Sequence, residues 1–442
     1  MRKEEILEIL NDWNFWRKEQ DIGKERKDYI EKYLSFLKSN VIVSIIGVRR
    51  SGKSTIMRQV AKNLIEKGIK KEDILMINFE DKRFIEFYPK LLDEVYEAYL
   101  EYIKITDKPY IFLDEVHNIP NWERWVRTMH ELQKGKITVS GSSSKLLSGE
   151  LATLLTGRHL DLYVFPFSFR EFLNFRGIIL KEQLDIIDKK HEIKSLFNEY
   201  MKFGGFPEVI LSSNKKDLLL TYFEDILTKD IVKRYKVKKD EKLKALARFY
   251  LTNMANTITF NSLKKFLDIT TNTIEKFSNY LEEANLIFLV KRFSYKVKEQ
   301  EKAPRKVYSI DSGMSHAVGF RFSEDTGKSA ENIVAVELRR LRSINKNIDF
   351  FYWQDISGKE VDFVLKEANS VKQLIQVCWD ISEFKTKERE VKALLKASKE
   401  LKCNNLLIIT EDYEGEEKAE WFGIKGKIKF IPLWKWLLSN AK

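Results

Sequence analysis

A chain of 442 residues has room for about three domains that each bury a core. With 43% hydrophobic and 12% aromatic residues it is globular rather than disordered. Two cysteines, Cys378 and Cys403, exclude a disulfide framework, and the five histidines show no zinc-ligand spacing with them. The net charge of +12 points to a polyanionic partner, nucleic acid first, or to a merely lysine-rich surface. No apolar run approaches the ~20 residues needed to span a bilayer, and the N-terminus lacks a signal-peptide core. The expectation is a cytoplasmic protein with no membrane partner.

Residues 1–40 read as two helical segments, with Ile6, Leu7, Ile9, Leu10 and Trp13 on one side of the first and Tyr29, Ile30, Tyr33, Leu34 and Leu37 on one side of the second. Trp13 and Trp16 read as packing aromatics rather than adenine-stacking ones. Val41–Ile46 is a β-branched run of the kind that forms a strand covered on both faces. Gly47-Val48-Arg49-Arg50-Ser51-Gly52-Lys53-Ser54 then fits the phosphate-binding pattern G-x-x-x-x-G-K-[ST], and Thr55–Ile65 continues at helical spacing. In such a loop the main chain of Gly47, Arg50, Ser51, Gly52, Lys53, Ser54 and Thr55 curls around a polyphosphate at the positive end of a helix. Lys53 reaches the β- and γ-phosphates of ATP, and the Ser54 hydroxyl holds Mg²⁺.

Ile74–Phe79 reads as a second strand, Leu91–Ile103 as a helix, and Tyr110–Leu113 as a third strand ending in Asp114-Glu115. Asp114 is assigned to Mg²⁺ and Glu115 to the attacking water. Lys136–Ser143 is a fourth strand with hydroxyls at its exit. Ser142 is the first candidate to bond the γ-phosphate or the water, with Ser140 and Ser143 beside it. Arg158, before a further strand at 160–165, is a candidate arginine finger and equally a surface ion-pairing residue. Strands alternating with helices imply an α/β sandwich with a mostly parallel sheet.

These stretches resemble the prokaryotic, largely archaeal ATPases of the AAA superfamily that append a winged helix and a restriction-endonuclease-like C-terminal domain. The resemblance is carried by Gly47–Thr55, Ile77–Asp81, Phe112–Val116, Val139–Ser144, Gly157-Arg158, Phe165-Pro166-Phe167-Ser168-Phe169-Arg170-Glu171-Phe172 and Phe203-Gly204-Gly205-Phe206-Pro207-Glu208. It implies an AAA-type P-loop domain over 1–175 and a helical lid over 176–240. It implies no particular substrate.

Residues 241–325 carry a winged-helix pattern. Ser262–Leu267 is a short helix, Thr271 an N-cap for a helix to Ala284, and Ile287–Val290 and Lys306–Ser309 are wing strands around a lysine- and arginine-rich loop. Such a helix and wing bind duplex DNA or another protein. Residues 326–442 alternate helix and strand in the order of restriction-endonuclease-like domains. Glu331, or alternatively Glu337, fits the helix glutamate of such a site, and Asp362 the second-strand aspartate. Gln376 and Cys378 stand where an acid and a lysine belong, so nuclease activity is expected to be lost.

The expected function is Mg²⁺-assisted ATP hydrolysis that drives engagement of a partner, nucleic acid in the first place, with a homo-oligomer as one form it takes. A slow nucleotide-gated switch that binds proteins and an ATP-regulated nuclease are the alternatives.

Overall fold

The computed structural model describes residues 1–142, 157–320 and 325–439. Ser143 and Ser144, and the residues just before Gly157, lie outside the described residues. The chain divides into two compact units, Met1–Val164 with Glu283–Asn285, and Phe165–Glu282 with Leu286–Lys442.

In the first unit, β1 (Ile42–Ile46), β2 (Ile74–Asn78), β3 (Tyr110–Asp114), β4 (Lys136–Gly141) and β5 (His159–Tyr163) form an all-parallel sheet of order β2-β3-β4-β1-β5. Because side chains alternate along a strand, each strand feeds two cores. Ile42, Ile46, Leu75, Ile77, Ile111 and Leu113 pack with α1 (Lys3–Trp13), α4 (Leu91–Tyr102) and α5 (Trp122–Glu131). Val43, Ile45, Ile74, Met76 and Phe112 pack with α2 (Lys27–Leu37) and α3 (Lys53–Glu66). The result is a three-layer sandwich, as the strand–helix alternation predicts. Strand β2 is an edge, and its unpaired main chain is covered from the N-terminus. Asn14 donates to the Met76 carbonyl and accepts its N–H at 2.8 and 2.7 Å, and the Trp16 indole donates to Ile74 O. Trp16 also stacks on Tyr99, and Trp13 donates to Asp81, so both tryptophans pack as expected.

The second unit begins with α6 (Phe169–Phe175), α7 (Gln183–Asp188), α8 (Lys190–Phe203), α9 (Pro207–Leu211) and α10 (Lys215–Asp225), the last running on as a π-helical stretch, Ile226–Lys233. Next come α11 (Asp240–Thr252), β6 (Thr257–Ile258), α12 (Phe260–Leu267), α13 (Thr271–Glu283), β7 (Ile287–Lys291), α14 (Val297–Lys302) and β8 (Arg305–Ser309), the strands pairing antiparallel in the order β6-β8-β7. Thr259 caps α12, and Thr270 rather than Thr271 caps α13, its hydroxyl accepting the Thr273 N–H. After α15 (Ser312–Val318) and α16 (Thr326–Ile344), strands β9 (Ile348–Gln354), β10 (Glu360–Glu367), β11 (Ser370–Val377), β12 (Leu406–Thr410), β13 (Gly415–Trp421) and β14 (Ile424–Pro432) form a sheet of order β13-β14-β12-β11-β10-β9. Helices α17 (Phe384–Leu401) and α18 (Leu433–Ser439) complete it.

The two distinctive stretches of the resemblance belong to this unit and are structural. Phe167 N–H donates to Gly205 O at 2.7 Å, and the Asp311 carboxylate accepts the N–H groups of Gly205 at 2.8 Å and Met314 at 3.1 Å. A Cβ on Gly204, whose φ is +73°, would lie 1.9 Å from Asp311 Oδ1. The glycine pair is there to admit a carboxylate.

Candidate nucleotide-binding site

Strand β1 delivers the chain to Gly47 at its carboxyl end, and α3 starts at Lys53 with its N-terminus turned to the same loop. Gly47 has no room for a side chain, since a Cβ there would stand 2.0 Å from Val164 O. Arg50 and Gly52 adopt left-handed backbone, φ 68° and 97°, which turns successive N–H groups inward. Ser51 Oγ is buried with no hydrogen-bond partner among the described residues. A closed loop with a spare hydroxyl and converging amides fits a polyphosphate. The loop is braced from residues 22–26: Arg26 Nη1 donates to Ser51 O at 3.1 Å, and Gln59 Nε2 donates to Ile22 O and Lys24 O at 2.8 and 2.7 Å.

Lys53 is buried, its ammonium donating to Gly47 O at 3.1 Å and Val48 O at 3.4 Å, and lying 3.7 Å from Glu115 Oε1. Ser54 and Thr55 occupy the first turn of α3, partly accessible. Asp114 ends β3. Strand β4 intervenes between β3 and β1, and it places Ser140 beside Asp114. The Ser140 hydroxyl donates to Asp114 Oδ1 and accepts the Glu115 N–H at 3.1 Å. Glu115 itself is held at φ 50°, with His117 Nδ1 3.3 Å from its Oε2. Strained backbone of this kind is tolerated where a side chain has to be aimed.

The structure thus brings together the loop, Lys53, Asp114 and Glu115, with Ser140 bonded to both acids. Ser142 is buried two residues farther on. Arg158 is not brought to the site. Its carbonyl accepts the Ile42 N–H at the first residue of β1, and its guanidinium pairs with Glu131. The five residues of β1 put ~13 Å of strand between that end of the sheet and the loop. In the second unit Glu331 faces Asp362, whereas Glu337 is paired with Arg340 at 3.2 Å. Gln376 accepts the Asp362 N–H and donates to Glu390, and burial pushes the Cys378 thiol up to about 12.

Arg26, Gln59, Ser140 and His117 are the contributors the sequence reading undervalued. Ser140 carried a signal as a hydroxyl at the exit of the fourth strand, and Gln59 carried one as a polar residue on the face of α3 that buries Ile56, Val60 and Ala61.

Residues 39–173 match an AAA domain, and residues 194–326 and 326–436 match two domains of unknown function, DUF8612 and DUF4143. An uncharacterized protein of Methanocaldococcus jannaschii, MJ1544, is 38% identical over 410 residues, covering 90% of this chain and 89% of that one. This chain belongs to the MJ1544 family and carries an AAA domain match over residues 39–173. An uncharacterized Haemophilus influenzae protein is 30% identical over 371 residues, covering 81% of this member of the MJ1544 family and 87% of its relative. The Walker-type ATPase PABY2304 of Pyrococcus abyssi superposes with a TM-score of 0.44 at 14% identity, covering 66% of this chain and 95% of that one. The Aeropyrum pernix ORC1 protein, solved in complex with DNA, superposes with a TM-score of 0.31 at 11% identity, covering 72% and 96%. No helix among the described residues is long and apolar enough to cross a membrane.

Proposed function

We propose that the protein hydrolyses ATP and uses the cycle to engage a partner through its second unit. The observation that carries this reading is the position of Lys53, inside a loop whose Gly47 has no room for a Cβ and 3.7 Å from Glu115. One buried ammonium is thereby shared between the phosphate seat and the carboxylate that handles water. The loop amides and Lys53 would bind the phosphates, and Glu115 would accept the proton of the water attacking the γ-phosphate. Mg²⁺, held by Ser54 and Asp114, would supply charge neutralisation at the β- and γ-oxygens. Ser140 fixes the Asp114 carboxylate. An arginine finger from Arg158 would need a second copy of the chain, because its own loop lies beyond its reach.

Lys53→Ala tests the core of the proposal. Loss of turnover with the fold retained supports it, and turnover equal to the parent protein refutes it.

Residues 241–325 are read as a winged helix and 326–442 as a restriction-endonuclease-like domain, with 176–240 as a helical lid. The order of helices and the β6-β8-β7 sheet support the winged helix, and the net charge of +12 supports duplex DNA as its partner. One observation favours a protein partner instead. The wing cations Lys291 and Arg305 pair with Glu301, and Lys296 with Glu299, so the wing neutralises much of its own charge. Duplex affinity that falls steeply with added salt decides for DNA, and binding indifferent to salt decides for protein.

A further inference from the structure

The resemblance of the C-terminal domain to restriction endonucleases implies a divalent metal ion on its carboxylates. The residues present do not fit one. Lys306 projects from β8 into the cluster formed by Glu331 of α16 and Glu360 and Asp362 of β10. Its ammonium lies 2.8 Å from Glu331 Oε1, 2.6 Å from Glu360 Oε1 and 2.9 Å from Asp362 Oδ1, and the residue is 1% exposed. An ammonium has three N–H donors, so three carboxylates saturate it.

Further donors crowd the same carboxylates. Tyr308 donates its hydroxyl to the Glu331 Oε1 that Lys306 also holds, at 2.6 Å, the Val377 N–H donates to Asp362 Oδ2 at 2.9 Å, and Gln354 Nε2 donates to Glu360 Oε2 at 3.3 Å. Gln376, which fills the third acid position, is tied to Asp362 N and Glu390. Burial pulls the Lys306 pKa down, but Asp362 and Glu331 outweigh it and hold the pKa well above the usual value. The cluster floors a cleft of about 720 Å³ rimmed by Lys359, Lys385 and Arg389.

We infer that Lys306 is the resident cation of this site: its ammonium stands where the resemblance calls for a divalent metal, and it ties β8 to the C-terminal sheet as a charge-paired joint. The lysine missing beside Gln376 has not vanished from the cluster. It comes from a strand 56 residues before Asp362, where it excludes the metal instead of working beside one.

Mn²⁺ binding to the full-length, nucleotide-free protein, counted by electron paramagnetic resonance, tests this. The parent protein and Asp362→Asn should bind Mn²⁺ equally. Lys306→Met, of similar length and no charge, should take up one further Mn²⁺ per chain, lost again when Asp362→Asn is added, and its melting midpoint should rise with Mn²⁺. Lys306→Arg should stay without the extra ion. Because Lys306→Met leaves three buried carboxylates unmatched, the double variant Lys306→Met/Glu331→Gln provides a site whose two remaining charges one divalent ion neutralises. It too should bind one Mn²⁺. An ion in the parent protein that Asp362→Asn removes would overturn the inference and restore a metal-dependent nuclease reading with Lys306 as its lysine. So would a failure of both charge-deleted variants to take up the ion, or their remaining unfolded in its presence.

Discussion

Ser140 donates its hydroxyl to the carboxylate of Asp114, and the same oxygen accepts the N–H of Glu115. One side chain on β4 thereby sets the direction of both acids at the end of β3. A hydrogen bond to a charged group contributes about 1.5–3 kcal/mol, which corresponds to roughly 10- to 100-fold in rate when the group must be aimed. Ser140→Ala is expected to lower the kcat for ATP by that factor, with Ser142→Ala costing less. Steady-state ATPase assays on the two variants check the ranking. Equal losses would remove the special place given to Ser140.

In the proposed cycle Glu115 takes the proton and Lys53, 3.7 Å away, holds phosphate. Glu115→Gln keeps the shape and removes the base. It should bind ATP as well as the parent protein while turning it over about 10²- to 10⁴-fold more slowly. Equilibrium binding of a fluorescent ATP analogue, alongside single-turnover hydrolysis, separates the two effects. A variant that loses binding and turnover together would make Glu115 a structural partner of Lys53 rather than a base.

The first unit was legible because its signals are local. Strand β1, the loop and α3 follow one another without a gap, and β3 ends in its acids, so one pass along the chain finds both halves of the site. What stayed hidden depends on strand order and on long-range pairing. The insertion of β4 between β1 and β3, which brings Ser140 to Asp114, has no signature in either segment. Lys306 reads as one more basic wing residue until the fold sets β8 against α16 and β10. The hairpin of β13 and β14 was missed for a different reason. Its exposed faces alternate Glu and Lys, as in Glu416 paired opposite Lys429 and Lys418 opposite Lys427, and such charge-rich strands look like solvated loop. Trp421-Phe422-Gly423-Ile424 turns the chain with φ 45° and 76° at Phe422 and Gly423, and only the glycine announces it.

Gly204 distinguishes a crowded glycine from a merely bent one. Gly204→Ala would drive a Cβ to 1.9 Å from Asp311 Oδ1, while Gly68, at φ +97°, faces open space. Gly68→Ala should therefore cost only the backbone term, about 1–2 kcal/mol. Gly204→Ala should cost about 4 kcal/mol or more, because the buried carboxylate has to move as well. Thermal melts followed by circular dichroism compare them. Similar midpoints for the two variants would mean the clasp around Asp311 opens at little cost.

Asp311 makes that clasp dependent on pH. Burial raises its pKa from 3.8 to about 6, against the N–H groups of Gly205, Met314 and Gly313, which favour the ionised form. Because the folded pKa exceeds the unfolded one, the folded chain holds a proton between these values that the unfolded chain has released. Stability from this group therefore falls as pH rises from about 4 to about 6, by about 3 kcal/mol in all, and is level above that window. Other buried carboxylates, Glu331 and Glu337 among them, are also raised by burial, so the parent protein alone would not isolate the effect. Asp311→Ser keeps a cap for α15 without a titrating group. The melting midpoint of the parent protein relative to Asp311→Ser should be most favourable near pH 4 and should decline to a plateau by about pH 6.5. A difference that stays flat, or grows, across that range would show that the carboxylate is ionised throughout and that its three N–H donors outweigh its burial.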